Sequence, residues 1–290
     1  MLINEALRKS ALVAKGYSNE GKSIIVNTDK GKYVFKNSNM NKQVFDYLKS
    51  RNFDYIPKCI NKEYDDYRID EYIESFDIPR EQKILDLAHL VSLLHSKTTH
   101  YKEIDNEDYE EIYDDIKGNL DYLYGYYTDV ITKIESKVYM SPSEYLLARN
   151  ISKVYNMIDE CDKSLETWHS FVKEKKNKRN VVLHNNLSLD HFIRNDNSYL
   201  ISWDKAKIGI PVFDIYKLYK KHALEFDFNV VLKEYEKNYP LLKEEKQLFY
   251  VLITMPDIVT FGKDNYENTK QVRNFIMSLE KARNITKEKV

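Results

Sequence analysis

Over the first eighty residues, apolar positions come in short β-branched or aromatic runs broken by turn residues. SIIVNT (Ser23–Thr28) and KYVFKN (residues 32–37) flank Asp29, Lys30 and Gly31, a combination that predicts a β-hairpin. MNKQVFDYLKSRN follows, with Val44, Tyr47 and Leu48 at helical spacing. After Pro57, KCINKEYDDYRIDEYI reads as a second hairpin turning near Asp65 and Asp66. Strand, strand, helix, strand, strand makes a small sheet carrying one helix.

Beyond Pro79 the period changes to that of helices. Leu87, Leu90, Val91 and Leu94 form an i, i+3, i+4, i+7 stripe, and a second stripe runs Tyr109, Ile112, Tyr113, Ile116, Leu120, Leu123 and Tyr127. SPSE, residues 141–144, has the chemistry of a helix start: serine as cap, proline at the first helical position, glutamate closing a capping box. Leu147, Ile151, Val154, Tyr155 and Ile158 continue that helix, and Val272, Phe275, Ile276 and Leu279 mark the last one. Between them, residues 181–204 interrupt the helical pattern with VVLHN and a hairpin turned at Asn195, Asp196 and Asn197. The expected fold is α+β and bilobal. A small antiparallel lobe with one helix spans residues 1–75, a hinge lies near residues 71–76, and a mostly helical lobe spans residues 76–290 with the hairpin embedded in it.

Composition narrows the possibilities. The 290 residues, 42% hydrophobic and 31% charged, suffice for a large core. Lys+Arg at 45 against Asp+Glu at 46 leaves a net charge of −1, so nothing global points to nucleic acid or an anionic membrane as partner. Cys59 and Cys161 stand in no metal-type spacing, and no segment approaches the ~20 apolar residues of a membrane span. These features predict a reduced, cytoplasmic protein. The basic run KEKKNKR, residues 173–179, reads as a solvated loop before a buried strand, and the acidic run EIDNEDYEEIYDD, residues 103–115, as the solvated face of a helix.

The motifs then converge. HNNLSLDH, LISWDKA and PVFDI follow one another in the order of a family pattern: His-Gly-Asp-Leu-His-x-x-Asn, a hairpin, Ile-Asp-(Phe/Trp)-(Asp/Glu), Pro-x-x-Asp-Leu. The chain thus resembles the kinase-like small-molecule phosphotransferases, which include aminoglycoside and choline kinases and spore-coat kinase-like proteins. AHLVSLLHS (residues 88–96) resembles the family's Ala-x-x-Leu-x-x-Leu-His helix. KGYSNEGKSI resembles the phosphate-covering loop, YVFK the strand ending in the nucleotide lysine, and EYI the hinge. The resemblance covers nearly the whole chain and implies a kinase-like fold with ATP as cofactor. It implies nucleotide contacts at Lys36, Ser18, Asn19, Glu71 and Ile73, with His184, Asp214 and His95 as structural supports.

At the chemical positions the chain departs from the pattern. Asn186 stands where the family has its catalytic Asp, His191 where it has the metal-binding Asn, and Ser202 where it has the metal-binding Asp. An amide orients a hydroxyl but does not take its proton at neutral pH, and Mg²⁺ prefers carboxylate oxygens. The lysine's usual glutamate corresponds to Asn41 or Gln43. A general base is worth roughly 10²–10⁴-fold, and electrostatic positioning supplies most of the rest in phosphoryl transfer. These substitutions argue against Mg²⁺ and for a pseudokinase that binds a nucleotide or small molecule, or scaffolds a protein partner. Two rivals stand beside it. One is an active phosphotransferase in which Asp204, on the same side of an extended strand as Ser202, holds the metal, with Asp190 a weaker stand-in near the base position. The other is a structural coat or assembly protein with no cleft ligand.

Overall fold

The computed structural model describes residues 7–21, 23–37, 42–61, 67–103 and 107–287. The chain packs as two units: residues 1–99 with 181–209, and residues 100–180 with 210–290. Grouped by packing, the hinge, the first long helix and the embedded hairpin therefore fall with the small sheet.

The sheet of the first unit has four antiparallel strands in the order β1-β2-β3-β4: β1 (Ala14–Glu20), β2 (Ser23–Thr28), β3 (Gly31–Asn37) and β4 (Tyr67–Glu71). The expected hairpin is β2–β3, with Thr28 opposite Gly31. Gly21 lies in the β1–β2 turn at φ +57, a conformation L side chains rarely adopt. One sheet face is the core, where Val26, Phe35, Tyr67 and Ile69 pack with Leu7 and Leu12. Helix α1 (Lys42–Ser50) buries Val44 and Leu48. Helix α2 (Arg80–Thr98) buries the stripe Leu87, Leu90, Val91 and Leu94.

Two expectations change here. The polar stretch AKGYSNE is a full strand, β1, because it pairs along its length with β2. The second hairpin is reduced to β4 and an isolated bridge between Cys59 and Asp70; its turn at Asp65 and Asp66 lies outside the described residues.

The rest of the first unit holds the second half of β6 (Asn177–Leu183), the hairpin β7 (Phe192–Arg194) with β8 (Ser198–Leu200), and β9 (Lys207–Gly209). Val181 to Leu183 pair antiparallel with β9, and the Val182 amide donates to the Thr98 hydroxyl at 3.1 Å, fastening this strand to the end of α2. The hairpin turns at Asn195 to Asn197, as expected.

The second unit is helical: α3 (Glu107–Glu135), α4 (Pro142–Val172), α5 (Val212–His222), α6 (Phe228–Glu236), α7 (Lys243–Thr254) and α8 (Asn265–Lys287). The stripe on α3 buries Tyr109, Ile116, Leu120, Leu123 and Tyr127. Ser141 caps α4, with Glu144 completing the capping box. A short strand not foreseen in the helical pattern, β5 (His100–Glu103), pairs with the first half of β6. The basic run is also more than a loop. The strand begins inside it at Asn177, and three of its five cations are paired: Lys175 with Glu244, Lys178 with Asp108 at 2.8 Å, Arg179 with Glu245. In the acidic run Asp108 is tied to Lys178 and Glu110 reaches His169 at 2.7 Å, whereas Glu111, Asp114 and Asp115 face solvent. No helix among the described residues is long and apolar enough to cross a membrane.

Candidate functional site

The candidate site lies within the first unit. Lys36, near the end of β3, points away from the apolar core because strand side chains alternate and its neighbour Phe35 takes the core side. Its Nζ lies 2.9 Å from Asp70 Oδ2 on β4, and its side chain keeps 23% of its surface while that of Asp70 keeps 4%. The lysine therefore has an acidic partner, against the expectation from the helix. Gln43 is on α1, Asn41 lies outside the described residues, and the acid comes from the adjacent strand. Sequence reasoning missed Asp70. The available signal was YRIDE itself, where Arg68 and Asp70 stand two residues apart, and so on one face of a strand.

Ser18 and Asn19 are exposed on β1, opposite Ile25 and Ile24 of β2 and next to the turn at Gly21. In the hinge, the Glu71 amide donates to the Lys58 carbonyl and the Tyr72 amide to the Lys32 carbonyl, so successive amides face opposite edges. Further along, the Phe76 amide donates to the Arg194 carbonyl at 2.6 Å and the Asn195 side-chain amide to the Glu74 carbonyl at 2.6 Å, pinning the hinge to the hairpin turn.

The loop after β6 is built around His184, which is fully buried. Its Nε2 lies 2.8 Å from the Ile201 carbonyl, and its ring meets Trp203 edge-on at 4.7 Å. Asn185 takes φ 60 and its side-chain amide donates to the Lys205 carbonyl at 2.9 Å. Asparagine tolerates this left-handed conformation better than most residues. Asn186 is half-buried, and its carbonyl lies 2.6 Å from His191 Nδ1. With Nδ1–H donating there, His191 is held against the loop backbone. Ser188 caps a short 3₁₀ turn, accepting from the Asp190 amide at 3.3 Å and donating to Asp190 Oδ2 at 3.4 Å. Asp190 is thus an exposed member of a local cap.

Ser202 and Asp204 do not lie on an extended strand. Ser202 takes φ 65, ψ 54, and Trp203 to Lys205 form a 3₁₀ turn on which Asp204 is exposed. The alternation that put both on one side fails here, because it holds only for extended backbone. Trp203 is the buried member of the turn. Its Nε1 donates to the Leu200 carbonyl, and its ring faces His184, Phe45 of α1 and Phe53. His95 is fully buried near the end of α2. Asp214 is fully buried in the first turn of α5, within the second unit.

The structure therefore brings Lys36 to an acid, binds the hinge to the hairpin and fixes His184, His191 and Asn186 in one loop. The donors fit a nucleotide better than a divalent cation. Lys36 is a held cation, whereas Ser202 offers only a neutral hydroxyl and the His191 ring is already engaged through Nδ1. Among the described residues, no three or more His, Cys, Asp or Glu side chains gather into one cluster.

Antiparallel small sheet, hinge, buried loop histidine and helical remainder together are the α+β fold of the kinase-like small-molecule phosphotransferases. Comparison with solved structures gives the same answer. An aminoglycoside phosphotransferase from Alicyclobacillus acidocaldarius aligns with TM-score 0.74 at 11% identity, over 97% of this chain and 92% of that one. A spectinomycin phosphotransferase in its AMP-bound complex aligns with TM-score 0.59 at 11% identity, over 97% and 96%. A choline kinase from Streptococcus pneumoniae aligns with TM-score 0.51 at 16% identity, over 96% and 98%. No protein-family model matches the chain, and no curated protein does.

Proposed function

We propose that this chain is a nucleotide-binding pseudokinase: it holds an adenine nucleotide through Lys36 and the hinge and performs little or no phosphoryl transfer. The observation that carries the reading is the Lys36–Asp70 pair at 2.9 Å, a cation kept in place beside the hinge with part of its surface open to a ligand. Ser18 and Asn19 would cover the phosphates from the β1 end, and the backbone at Glu71 and Ile73 would meet the base. The spectinomycin phosphotransferase of the same fold is known in complexes with ADP and with AMP.

A bound nucleotide would supply a transferable phosphoryl group; the residues that would direct that transfer are the ones replaced. The Asn186 amide can orient a hydroxyl without accepting its proton, and Ser202 offers a neutral oxygen where Mg²⁺ wants a carboxylate. The exposed turn at Asp204 and the Ser188 cap at Asp190 support the same reading. A small molecule or a protein partner would then read the nucleotide-bound form. The two unpaired cysteines, Cys59 and Cys161, suit the reducing cytoplasm in which we place it.

Thermal unfolding with ADP and a turnover assay with ATP test this. A ligand that binds only the folded state raises its stability by RT ln(1 + [L]/Kd). ADP is expected to raise the unfolding temperature of the wild type, Lys36→Met is expected to lose that rise, and ATP is expected to persist. Metal-dependent ATP consumption, or no shift with ADP, overturns the reading.

A further inference from the structure

Lys36 and Arg68 stand directly opposite each other across the β3–β4 ladder, so both side chains leave the same sheet face. Two like charges in that relation repel. Asp70, two residues beyond Arg68, shares the face and joins them: Oδ2 takes Lys36 Nζ, and Oδ1 takes Arg68 Nε. Arg68 is itself fixed. Its guanidinium lies 4.7 Å from the centre of the Phe45 ring, and Nη2 donates to the Pro57 carbonyl at 3.2 Å. Phe45 belongs to α1 and meets Trp203 edge-on at 6.3 Å.

We propose that Asp70 is the positioning residue for Lys36, and that Arg68, stacked on Phe45, passes the placement of helix α1 to that lysine. This rests on the reading of Lys36 as the phosphate-contacting residue. Helix α1 presents the Phe45 ring to this cluster, and an aromatic face has no charge with which to hold the lysine directly. Arg68 and Asp70 supply the link, because aromatic to guanidinium, guanidinium to carboxylate and carboxylate to ammonium are each attractive. The same ladder reaches Trp203, beside Ser202, so the loop end and the lysine are braced by one set of contacts.

Mere sheet stabilisation by Asp70 would affect every ligand alike, whereas positioning of Lys36 affects only ligands with phosphates. Affinities for ADP and for adenosine are therefore measured on the wild type, Asp70→Asn, Phe45→Leu, Lys36→Met and the Lys36→Met/Asp70→Asn double variant. Asp70→Asn is expected to weaken ADP by about tenfold and leave adenosine within about twofold, the scale of a charge-assisted contact. In the Lys36→Met background the Asp70 change is expected to add nothing, and Phe45→Leu is expected to give a smaller, ADP-selective loss. Should Asp70→Asn fail to fold, Asp70→Glu keeps the charge, displaced by one methylene, and is expected to show a smaller ADP-selective loss. If Lys36→Met loses ADP while the Asp70 variants keep wild-type affinity, or lose ADP and adenosine equally, the positioning role is wrong and the lysine reading stands. If the wild type does not bind ADP, or Lys36→Met binds it as well as the wild type, the lysine reading itself falls.

Discussion

The Trp203 indole meets the His184 imidazole edge-on, with ring centroids 4.7 Å apart. The two residues hold Ser202 between them. His184 grips the carbonyl of Ile201 on one side, and Trp203 anchors the other through Leu200 and the rings of Phe45 and Phe53. A serine at φ 65 persists only where its surroundings fix it, and these contacts do so. Trp203→Ala is expected to cost about 3–5 kcal/mol, the range for removing a buried aromatic, with Trp203→Phe costing less. Urea unfolding measures both, and a loss under ~1 kcal/mol for the alanine would show that this cluster is not a core element.

The backbone at Ser202 is ready for a carboxylate, since aspartate is enriched in left-handed conformations. The triple variant Ser202→Asp, Asn186→Asp, His191→Asn installs the residue types that the proposed reading takes as replaced. Its ADP affinity is expected to become Mg²⁺-dependent, rising by about tenfold or more with the metal. Titration with and without Mg²⁺ reads this directly, and a metal-indifferent variant would mean that these positions do not face the phosphates.

Both cysteines are expected to be slow nucleophiles in the folded protein. Burial pushes the Cys161 thiol up to about 12, and its Sγ donates to the Val251 carbonyl at 3.2 Å. Burial also raises Cys59. The thiolate is the reactive species, so at pH 7.5 Cys161 is expected to react with a disulfide reagent at least about a thousandfold more slowly than in urea. Absorbance of the released thiol follows the rate; equal rates in the folded and unfolded protein would contradict the burial.

Alkaline pH is expected to weaken the helical unit. Burial raises the phenols of Tyr109, Tyr127, Tyr219 and Tyr235 above their ordinary value of 10.0. These groups keep their protons in the folded state while the unfolded chain releases them, so the folded state binds more protons and stability falls as pH rises. The stabilising contribution is intact below the ordinary value and declines above it, by up to about 1.4 kcal/mol per pH unit for each group. Melting temperatures from pH 8 to 11 should be level at first and then drop. A flat profile through pH 11 would contradict the assignment.

The fold was legible where local chemistry and burial agree. The stripe Leu87, Leu90, Val91 and Leu94, the capping box at Ser141 and the turn at Gly31 each name their element without reference to distant residues. β1 and β5 were not legible. Their residues are largely exposed and polar, and only pairing with β2 and β6 makes them strands. At the candidate site, the order of motifs put Lys36 in the small lobe and His184 in the helical lobe, whereas by packing both belong to the first unit. Asp70 escaped notice because its partner is a cross-strand neighbour 34 positions away in the chain, a relation fixed by the β3–β4 register and not by any local spacing. Strand alternation put Asp204 on the same side as Ser202, but Ser202 takes a left-handed conformation ahead of a 3₁₀ turn, which no local pattern announced.

The most direct test of the central claim is the ADP affinity of the wild type in excess EDTA against the same titration in Mg²⁺. A nucleotide held by Lys36 and the hinge, with no carboxylate for the metal, is expected to bind with affinities that agree within about twofold. ADP binding that is tightened by Mg²⁺ about tenfold or more, and lost on Asp204→Ala, would contradict it.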